Sequence, residues 1–175
     1  MIRPHMFLGC VVVAVVGRES LAQATFRRAD LDAQGRLRLT TSTGRIVLPP
    51  KDSEQVGFEQ VAISPDHRAV GWVALYPNCC TTYPVPLKLI ILTAGRADTL
   101  VGTGLPIWRW AFVADGRRVA FRQAPVHGSP SSHYELHEVS TGRLVSTFDP
   151  PSDTVRDAPA WARALERSPP PPNER

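Results

Sequence analysis

Short apolar stretches alternate with turn-forming residues through the middle of the chain, and the apolar positions there show no helical period. This alternation predicts ten strands, at residues 36–41, 45–48, 58–63, 69–76, 87–92, 98–101, 107–113, 118–123, 132–139 and 143–148. The tight turns between them contain a glycine or a Pro-Asp pair, which supplies the backbone freedom or the preset φ that such turns need. The chain is therefore predicted to be all-β.

One turn sequence occurs three times along the chain. Its form is Thr/Ser-Thr/Ala-Gly-Arg, and its glycines, Gly44, Gly95 and Gly142, are 51 and then 47 residues apart. In each copy the turn follows one predicted strand and precedes another. The recurrence indicates that the same hairpin is repeated in successive structural units.

A second segment repeats between these turns. Residues 62–70 align with residues 111–119, and the alignment places Asp66 opposite Asp115, 49 residues further on. A period of roughly 40–50 residues built from short strands is typical of blade-type β repeats. We predict an incomplete, propeller-like array of antiparallel four-stranded units, about two and a half in number, with the half unit first.

The repeat pattern ends at a Pro-Pro pair, residues 150–151. Asp157 can then cap a short helix from Ala158 to about Arg167, which we expect to dock through Trp161 and Leu165, one turn apart. The proline-rich, charged end is expected to be extended and disordered. The predicted organisation is a β-repeat domain over residues 25–150, a segment with a short helix over 151–167 and a disordered tail over 168–175.

Residues 1–24 have the pattern of a secretory signal peptide. A basic start precedes an apolar run over residues 6–17 that is too short to span a bilayer, and residues 22–24 supply a small-x-small cleavage site. Two alternatives are an uncleaved anchor, disfavoured because charged residues follow the run directly, and lipidation at Cys10, whose apolar run lies mostly after it. We predict cleavage before Thr25 and a periplasmic or secreted protein.

Length and charge limit the class of protein. Cleavage would leave about 150 of the 175 residues, which is enough for one domain with a core. No second apolar segment is long enough to span a membrane, so no span is expected after processing. The formal net charge of the whole chain is +4, carried mostly by scattered arginines, so a nucleic-acid partner is not indicated.

The sequence Ser64-Pro65-Asp66, followed by an apolar strand and then by a strand that ends in Thr-x-Gly-Arg, resembles the WD-like repeats of periplasmic TolB-type β-propellers. Those repeats carry Phe-Ser-Pro-Asp-Gly-x-x-Ile-Ala-Phe. The first copy has His67 where glycine is usual, and the second has Val113-Ala114 in place of Ser-Pro. The resemblance covers about residues 58–148 and implies a fold rather than an activity. Residues 76–84 are similar to a motif of uncharacterised secreted bacterial proteins.

The number of repeats leaves the architecture open in one respect. A closed propeller needs about four or more blades, and this chain has fewer. It either forms an open, capped β array or closes by self-association. The C-terminal helix and the first hairpin are the natural covers for exposed sheet edges.

Cys79 and Cys80 would be the only cysteines of the mature chain, and they lie in the long loop from Pro77 to Pro86. In an oxidising compartment they can form a vicinal disulfide, pair with other chains or ligate a metal ion. The simpler alternative is a structural pair that stiffens the loop. A thioredoxin-type Cys-x-x-Cys is absent from the sequence, so oxidoreductase activity is not indicated.

His133, Glu135 and His137 alternate, so on a strand they share one face, with neighbours about 6.5–7 Å apart. A metal could be ligated from that spacing, but the polar, solvated face of an outer strand explains the same residues more simply. His127 lies in the loop that corresponds, one unit later, to the cysteine loop. Equivalent loops emerge on one rim, so His127 is expected near the cysteines.

These features predict a non-catalytic binding module for a protein or cell-envelope component. Its binding loop would use Cys79, Cys80, Tyr83 and His127. The sequence contains no Gly-x-Ser-x-Gly and no phosphate-binding glycine loop, and we predict neither an enzyme nor a cofactor. The alternative is a metal-binding or redox-sensing protein that uses the cysteine loop and the nearby histidines.

Overall fold

The computed structural model describes residues 25–79, 81–127, 131–150 and 157–167. In these ranges the chain forms β1 (Phe26–Leu31), β2 (Leu37–Thr41), β3 (Ile46–Val47), β4 (Gly57–Ile63), β5 (Val70–Tyr76), β6 (Val85–Thr93), β7 (Arg96–Leu100), β8 (Ile107–Val113), β9 (Arg118–Gln123), β10 (His133–Glu138), β11 (Leu144–Phe148) and α1 (Ala160–Arg167). The predicted signal peptide, the predicted disordered tail and Cys80 lie outside the described residues.

The strands form three antiparallel sheets. Sheet A has the order β1-β2-β3, sheet B has the order β4-β5-β6-β7, and sheet C has the order β8-β9-β10-β11. The predicted all-β array, with two four-stranded units preceded by a smaller one and followed by a short helix, is confirmed. No helix in the described ranges is long and apolar enough to cross a membrane.

β1 is a strand that the alternation of the sequence does not predict, so sheet A has three strands where a two-stranded hairpin is expected. Its apolar residues do not alternate, because the register of β1 against β2 shifts between Phe26 and Arg28. This bulge inserts an extra residue and lets Phe26 and Ala29 both pack toward sheet B.

The repeated turns lie at equivalent places in the sheets, as the sequence predicts. Gly95 and Gly142 lie between the third and fourth strands of sheets B and C, with φ of +84° and +68°. Asp66 and Asp115 lie between the first and second strands of the same sheets. Gly44, with φ of +83°, lies between β2 and β3. Sheet A therefore lacks a counterpart of the first strand, and β1 corresponds to β5 and β9.

In the described part of the chain, three apolar cores join four successive layers. The first core joins sheets A and B and includes Phe26, Leu39 and Trp72. The second joins sheets B and C and includes Leu89 and Phe121. The third joins sheet C to α1. The order of the layers is thus sheet A, sheet B, sheet C and the helix.

The helix docks through a face centred on Leu165. Leu165 and Ala162 are fully buried against Tyr134 and Leu136 of β10. Trp161, which the sequence predicts to share the docking face, is only partly buried there. The predicted docking of the helix is confirmed, but Ala162 and Leu165 are buried more completely in the contact than the indole of Trp161.

Glu166 fixes the end of the helix on sheet C. Its carboxylate accepts hydrogen bonds from Nη1 of Arg109 at 2.9 Å and from the hydroxyl of Tyr134 at 3.0 Å. Nε of Arg122 lies 3.7 Å from the same group. Burial of the phenol, together with the negative charge of Glu166, raises the pKa of Tyr134 to about 12.

Sheets B and C exchange hydrogen bonds at their first strands. Nε1 of Trp110 donates to the carbonyl of Gln60 at 3.0 Å, and Nε2 of Gln60 donates to the carbonyl of Trp108 at 3.1 Å. Gln60 has a φ of +51° and lies at the bulge in the pairing of β4 with β5. The bonds across the two sheets hold this residue in a conformation that would otherwise be costly.

The connections between strands sort to two ends of the stack. The turn end carries the short hairpin turns β4–β5, β6–β7, β8–β9 and β10–β11. The loop end carries the longer connections, which include the β5–β6 loop with Cys79 and the β9–β10 loop with His127.

Candidate functional site

A cleft of about 870 Å³ opens at the turn end between sheets B and C. All four hairpin turns of the two sheets contribute to its walls. Thr25, which precedes β1, also lines it, and the rest of its polar lining comes from Asp66, Arg68, Thr93, Arg117, Glu138 and Ser140. Because both sheets are copies of one unit, the opposite walls contain equivalent turns.

Ser64 and Asp66 shape the wall that sheet B provides. Oγ of Ser64 donates to Oδ1 of Asp66 at 2.6 Å and accepts a hydrogen bond from the N–H of Ala69 at 2.9 Å. The same Asp66 oxygen accepts from the N–H of Arg68 at 3.1 Å. Burial works to raise the pKa of Asp66, but these hydrogen bonds outweigh it and lower the pKa. Asp66 is thus an ionised group that fixes the turn from which Arg68 extends.

The β8–β9 turn of sheet C touches this wall. At Gly116, where φ is +85°, an added Cβ would lie 3.2 Å from Oδ1 of Asp66 and 3.2 Å from Cβ of Ser64. Ala114 and Asp115 also have positive φ, +51° and +55°. Glycine relieves the strain at one of three successive left-handed positions and lets the two turns meet at the cleft.

Arg68 and Arg117 hold equivalent positions of the repeat, each two residues after the aspartate of its turn, and both line the cleft. Nε of Arg117 donates to the carbonyl of Ala114 at 3.2 Å. Within the described ranges, neither guanidinium lies within 4 Å of a carboxylate oxygen. Sequence reasoning missed both arginines, although the alignment of residues 62–70 with 111–119 contains them.

His133, Glu135 and His137 share one face of β10, as predicted, but that face is not solvated. Glu135 is 5% exposed and His137 is 8% exposed, and the His137 ring stacks on Phe121 with the ring centroids 5.3 Å apart. The interpretation as the solvated face of an outer strand is wrong. β10 is an inner strand of sheet C, and this face packs toward sheet B.

Hydrogen bonds connect these side chains in a row. Glu135 lies 2.6 Å from Nε2 of His137 through Oε2 and 3.2 Å from Nε2 of His133 through Oε1. Nδ1 of His137 lies 3.0 Å from the carbonyl oxygen of Gly142, and Nδ1 of His133 lies 2.6 Å from Oδ1 of Asp149. The row joins the inner strand to the β10–β11 turn.

Both histidines direct their ring nitrogens at oxygen atoms rather than at a common point. Burial works to lower the pKa of His137, but the hydrogen bonds to Glu135 and Gly142, with the charge of Glu135, outweigh it and raise the pKa. Among the residues that the structure describes, no group of three or more His, Cys, Asp or Glu side chains could hold a metal ion.

The predicted binding loop lies at the loop end, away from the cleft. Cys79 and Tyr83 are exposed in the β5–β6 loop, and His127 is exposed in the β9–β10 loop. The two loops emerge at the same end, as the repeat predicts. Since Cys80 lies outside the described residues, its bond to Cys79 stays a prediction.

Tyr76, Asp52 and Lys88 brace the start of that loop. The Tyr76 hydroxyl donates to Oδ2 of Asp52, and Nζ of Lys88 lies 3.0 Å from the same oxygen and 4.5 Å from the centre of the Tyr76 ring. The hydrogen bonds from Tyr76 and then from Lys88 lower the pKa of Asp52 to about 2. The cluster ties the connection before β4 to the two strands that carry the cysteine loop.

Comparison with known proteins assigns no function to the cleft. The sequence matches no known protein family, and it matches no functionally characterised protein. Its function is therefore inferred from the fold and from the cleft.

Proposed function

We propose that this protein is a non-catalytic binding module, exported to the periplasm or outside the cell, that holds a polypeptide segment of a partner protein in the cleft at the turn end. The observation that carries the proposal is the cleft itself. Its volume of about 870 Å³ falls within the range of about 300–1,000 Å³ that is typical of ligand sites.

The lining of the cleft supports a polypeptide as the occupant. The hydroxyl group of Ser140 stands in one wall and can exchange hydrogen bonds with peptide N–H and C=O groups. The hydroxyl of Thr93 donates to the carbonyl of Arg96 at 3.3 Å and can still accept a hydrogen bond from a peptide N–H. The carboxylate of Asp66, by contrast, accepts hydrogen bonds from within its own turn and therefore stabilises that turn. Turns displayed by a rigid β scaffold are a common place for recognition.

The repeat architecture and the N-terminal sequence support the same class of function. The resemblance of residues 58–148 to the repeats of periplasmic TolB-type β-propellers concerns the fold and agrees with an exported protein. The signal-like pattern of residues 1–24 favours export. Export also places the cleft where envelope or extracellular proteins could reach it.

An array of immobilised hexapeptides of varied sequence, probed with the purified full chain, tests the proposal. We expect a subset of peptides to bind, and we expect Ala94→Trp, which places an indole in the wall of the cleft, to abolish that binding. Ala33→Trp makes the same change at an exposed position of the β1–β2 turn, outside the residues that line the cleft, and should leave binding intact.

Thermal unfolding of each variant checks that it is folded, and Ser140→Trp provides a second way to fill the cleft. Absence of peptide binding by the unmodified chain would overturn the proposal. Binding that survives both cleft-filling changes but is lost in Tyr83→Ala would also overturn it, because the cysteine loop would then be the binding surface.

A further inference from the structure

We infer that Arg68 and Arg117 form a paired anchor that recognises a carboxylate side chain, so that the polypeptide in the cleft is acidic. This inference rests on the proposed function and names the chemistry of the segment that the cleft holds. The two arginines lie in equivalent turns of neighbouring sheets, and both line the same cleft. Each of the two sheets thus contributes one arginine to the lining of the cleft.

Of the charged side chains that line the cleft, the two arginines are the ones left to bind a ligand. Asp66 is engaged by Ser64 and by the N–H of Arg68, and Oε2 of Glu138 lies 3.6 Å from Nε of Arg118. Neither Arg68 nor Arg117 lies within 4 Å of a carboxylate oxygen in the described part of the chain. Two cations therefore line the cleft with no carboxylate of the described residues in contact, although the charge of Arg68 acts on Asp66 over a longer distance and helps to lower the pKa of that carboxyl.

The geometry of the guanidinium favours a carboxylate over other groups. Arginine presents a planar fork of five N–H donors that matches a carboxylate in a bidentate manner. Nε of Arg117 is already bonded to the carbonyl of Ala114, and this contact holds the stem of the side chain against its own turn. An arginine whose stem is held in this way loses less side-chain entropy when it binds.

The acids of the cleft argue against a phosphate group as the occupant. A phosphomonoester carries a charge of about −1.5 to −2 at neutral pH, and it would face Asp66 and Glu138 across the same walls. A single carboxylate carries one charge and would share it between two guanidinium groups. We therefore assign aspartate or glutamate side chains, rather than phosphorylated residues, as the group recognised.

The hexapeptide array tests the anchor when each peptide is synthesised in three forms, with Glu or Asp, with Gln or Asn, and with phosphoserine at the same position. The full chain should bind the carboxylate form about tenfold or more tightly than the amide form. Phosphoserine should bind more weakly than glutamate. Tighter binding of the phosphoserine form would overturn the inference.

Variants test whether the preference for carboxylate peptides comes from Arg68 and Arg117. Arg68→Gln and Arg117→Gln should each reduce the preference for carboxylate over amide, and the double variant should abolish it. Arg45→Gln removes an exposed charge from the β2–β3 turn and should leave the preference unchanged. Arg68→Lys with Arg117→Lys keeps the charge but loses the fork, and should restore only part of the preference.

The outcomes separate the anchor from the proposed function. Equal binding of carboxylate and amide forms, abolished by Ala94→Trp, would overturn the anchor and leave the cleft as a peptide site. Absence of binding to every form would overturn both. A preference for carboxylate that Arg45→Gln removes as strongly as Arg68→Gln would show a general charge effect and would overturn the paired anchor.

Discussion

The indole of Trp110 fills the space that a side chain at Gly71 would need. A Cβ at position 71 would lie 2.3 Å from Cη2 of Trp110 and 2.9 Å from Cδ1 of Ile91. Gly71 is in the second strand of sheet B and Trp110 is in the first strand of sheet C. The indole of Trp110 in sheet C thus occupies the space that Gly71 in sheet B leaves empty.

Gly71→Ala is expected to destabilise the protein by about 1–3 kcal/mol, because the added methyl group overpacks the core between sheets B and C. Chemical denaturation measures the change. In a double-mutant cycle, Trp110→Phe should relieve part of the cost, since a phenyl ring does not extend as far as the six-membered ring of the indole. Additive effects of the two changes would contradict the contact.

Leu165→Ala is expected to cost about 2–5 kcal/mol, because the side chain is completely buried between α1 and sheet C. Arg167→Ala, at an exposed position two residues on, should change the free energy of unfolding by about 0.5 kcal/mol or less. Thermal or chemical unfolding gives both values. Equal, small effects would mean that the helix does not stay docked in solution.

Ionisation of Tyr134 should weaken the fold at alkaline pH. Its folded pKa of about 12 lies above the unfolded value of about 10, so its contribution is fully present below pH 10 and is lost as pH rises toward 12. Tyr134→Phe should make the free energy of unfolding less dependent on pH in that window. A variant with the same alkaline slope as the unmodified chain would contradict this linkage.

Asp52 should contribute to stability in acid. Its folded pKa of about 2 lies below its ordinary value of 3.8, so its contribution is present above about pH 4 and is lost as pH falls through 2. Asp52→Asn should flatten the acid dependence of the unfolding midpoint between those values. Asp115→Asn, in a turn of sheet C, serves as the matched control and should retain the dependence.

The neighbouring cysteines are expected to be oxidised to a vicinal disulfide in the exported protein, since the mature chain is predicted to offer no other thiol partner. Alkylation followed by mass spectrometry should label Cys79 and Cys80 only after reduction. Labelling of both before reduction, with no bound metal, would exclude the bridge. The double change Cys79→Ser with Cys80→Ser should leave binding in the cleft intact, because that loop lies at the opposite end.

The repeat made most of the fold predictable, since turn chemistry is local. Glycines at 95 and 142 and the aspartates at 66 and 115 mark turns by their own backbone preferences, and the structure places each pair in equivalent turns. β1 escaped prediction because a bulge disrupts its alternation. A shift of register depends on the partner strand, so the sequence of β1 alone does not encode it.

The candidate site was less predictable than the fold. Single charged residues in turns look like ordinary solvated groups, so Arg68 and Arg117 acquire meaning only when two turns meet at one cleft. Glu135 and His137 show the converse problem. Their alternation reads as a solvated face, but sheet B covers it, and hydrogen bonds along the row replace the lost water.

The layered order of the cores gives the molecule a graded resistance to local opening. Each core joins only two successive layers, so sheet A and the helix can each detach by breaking a single interface. Sheets B and C each lie between two interfaces and should exchange their amide hydrogens most slowly. Apart from Thr25, which precedes β1, the residues that line the cleft come from these two inner layers and therefore belong to the part of the chain that opens last.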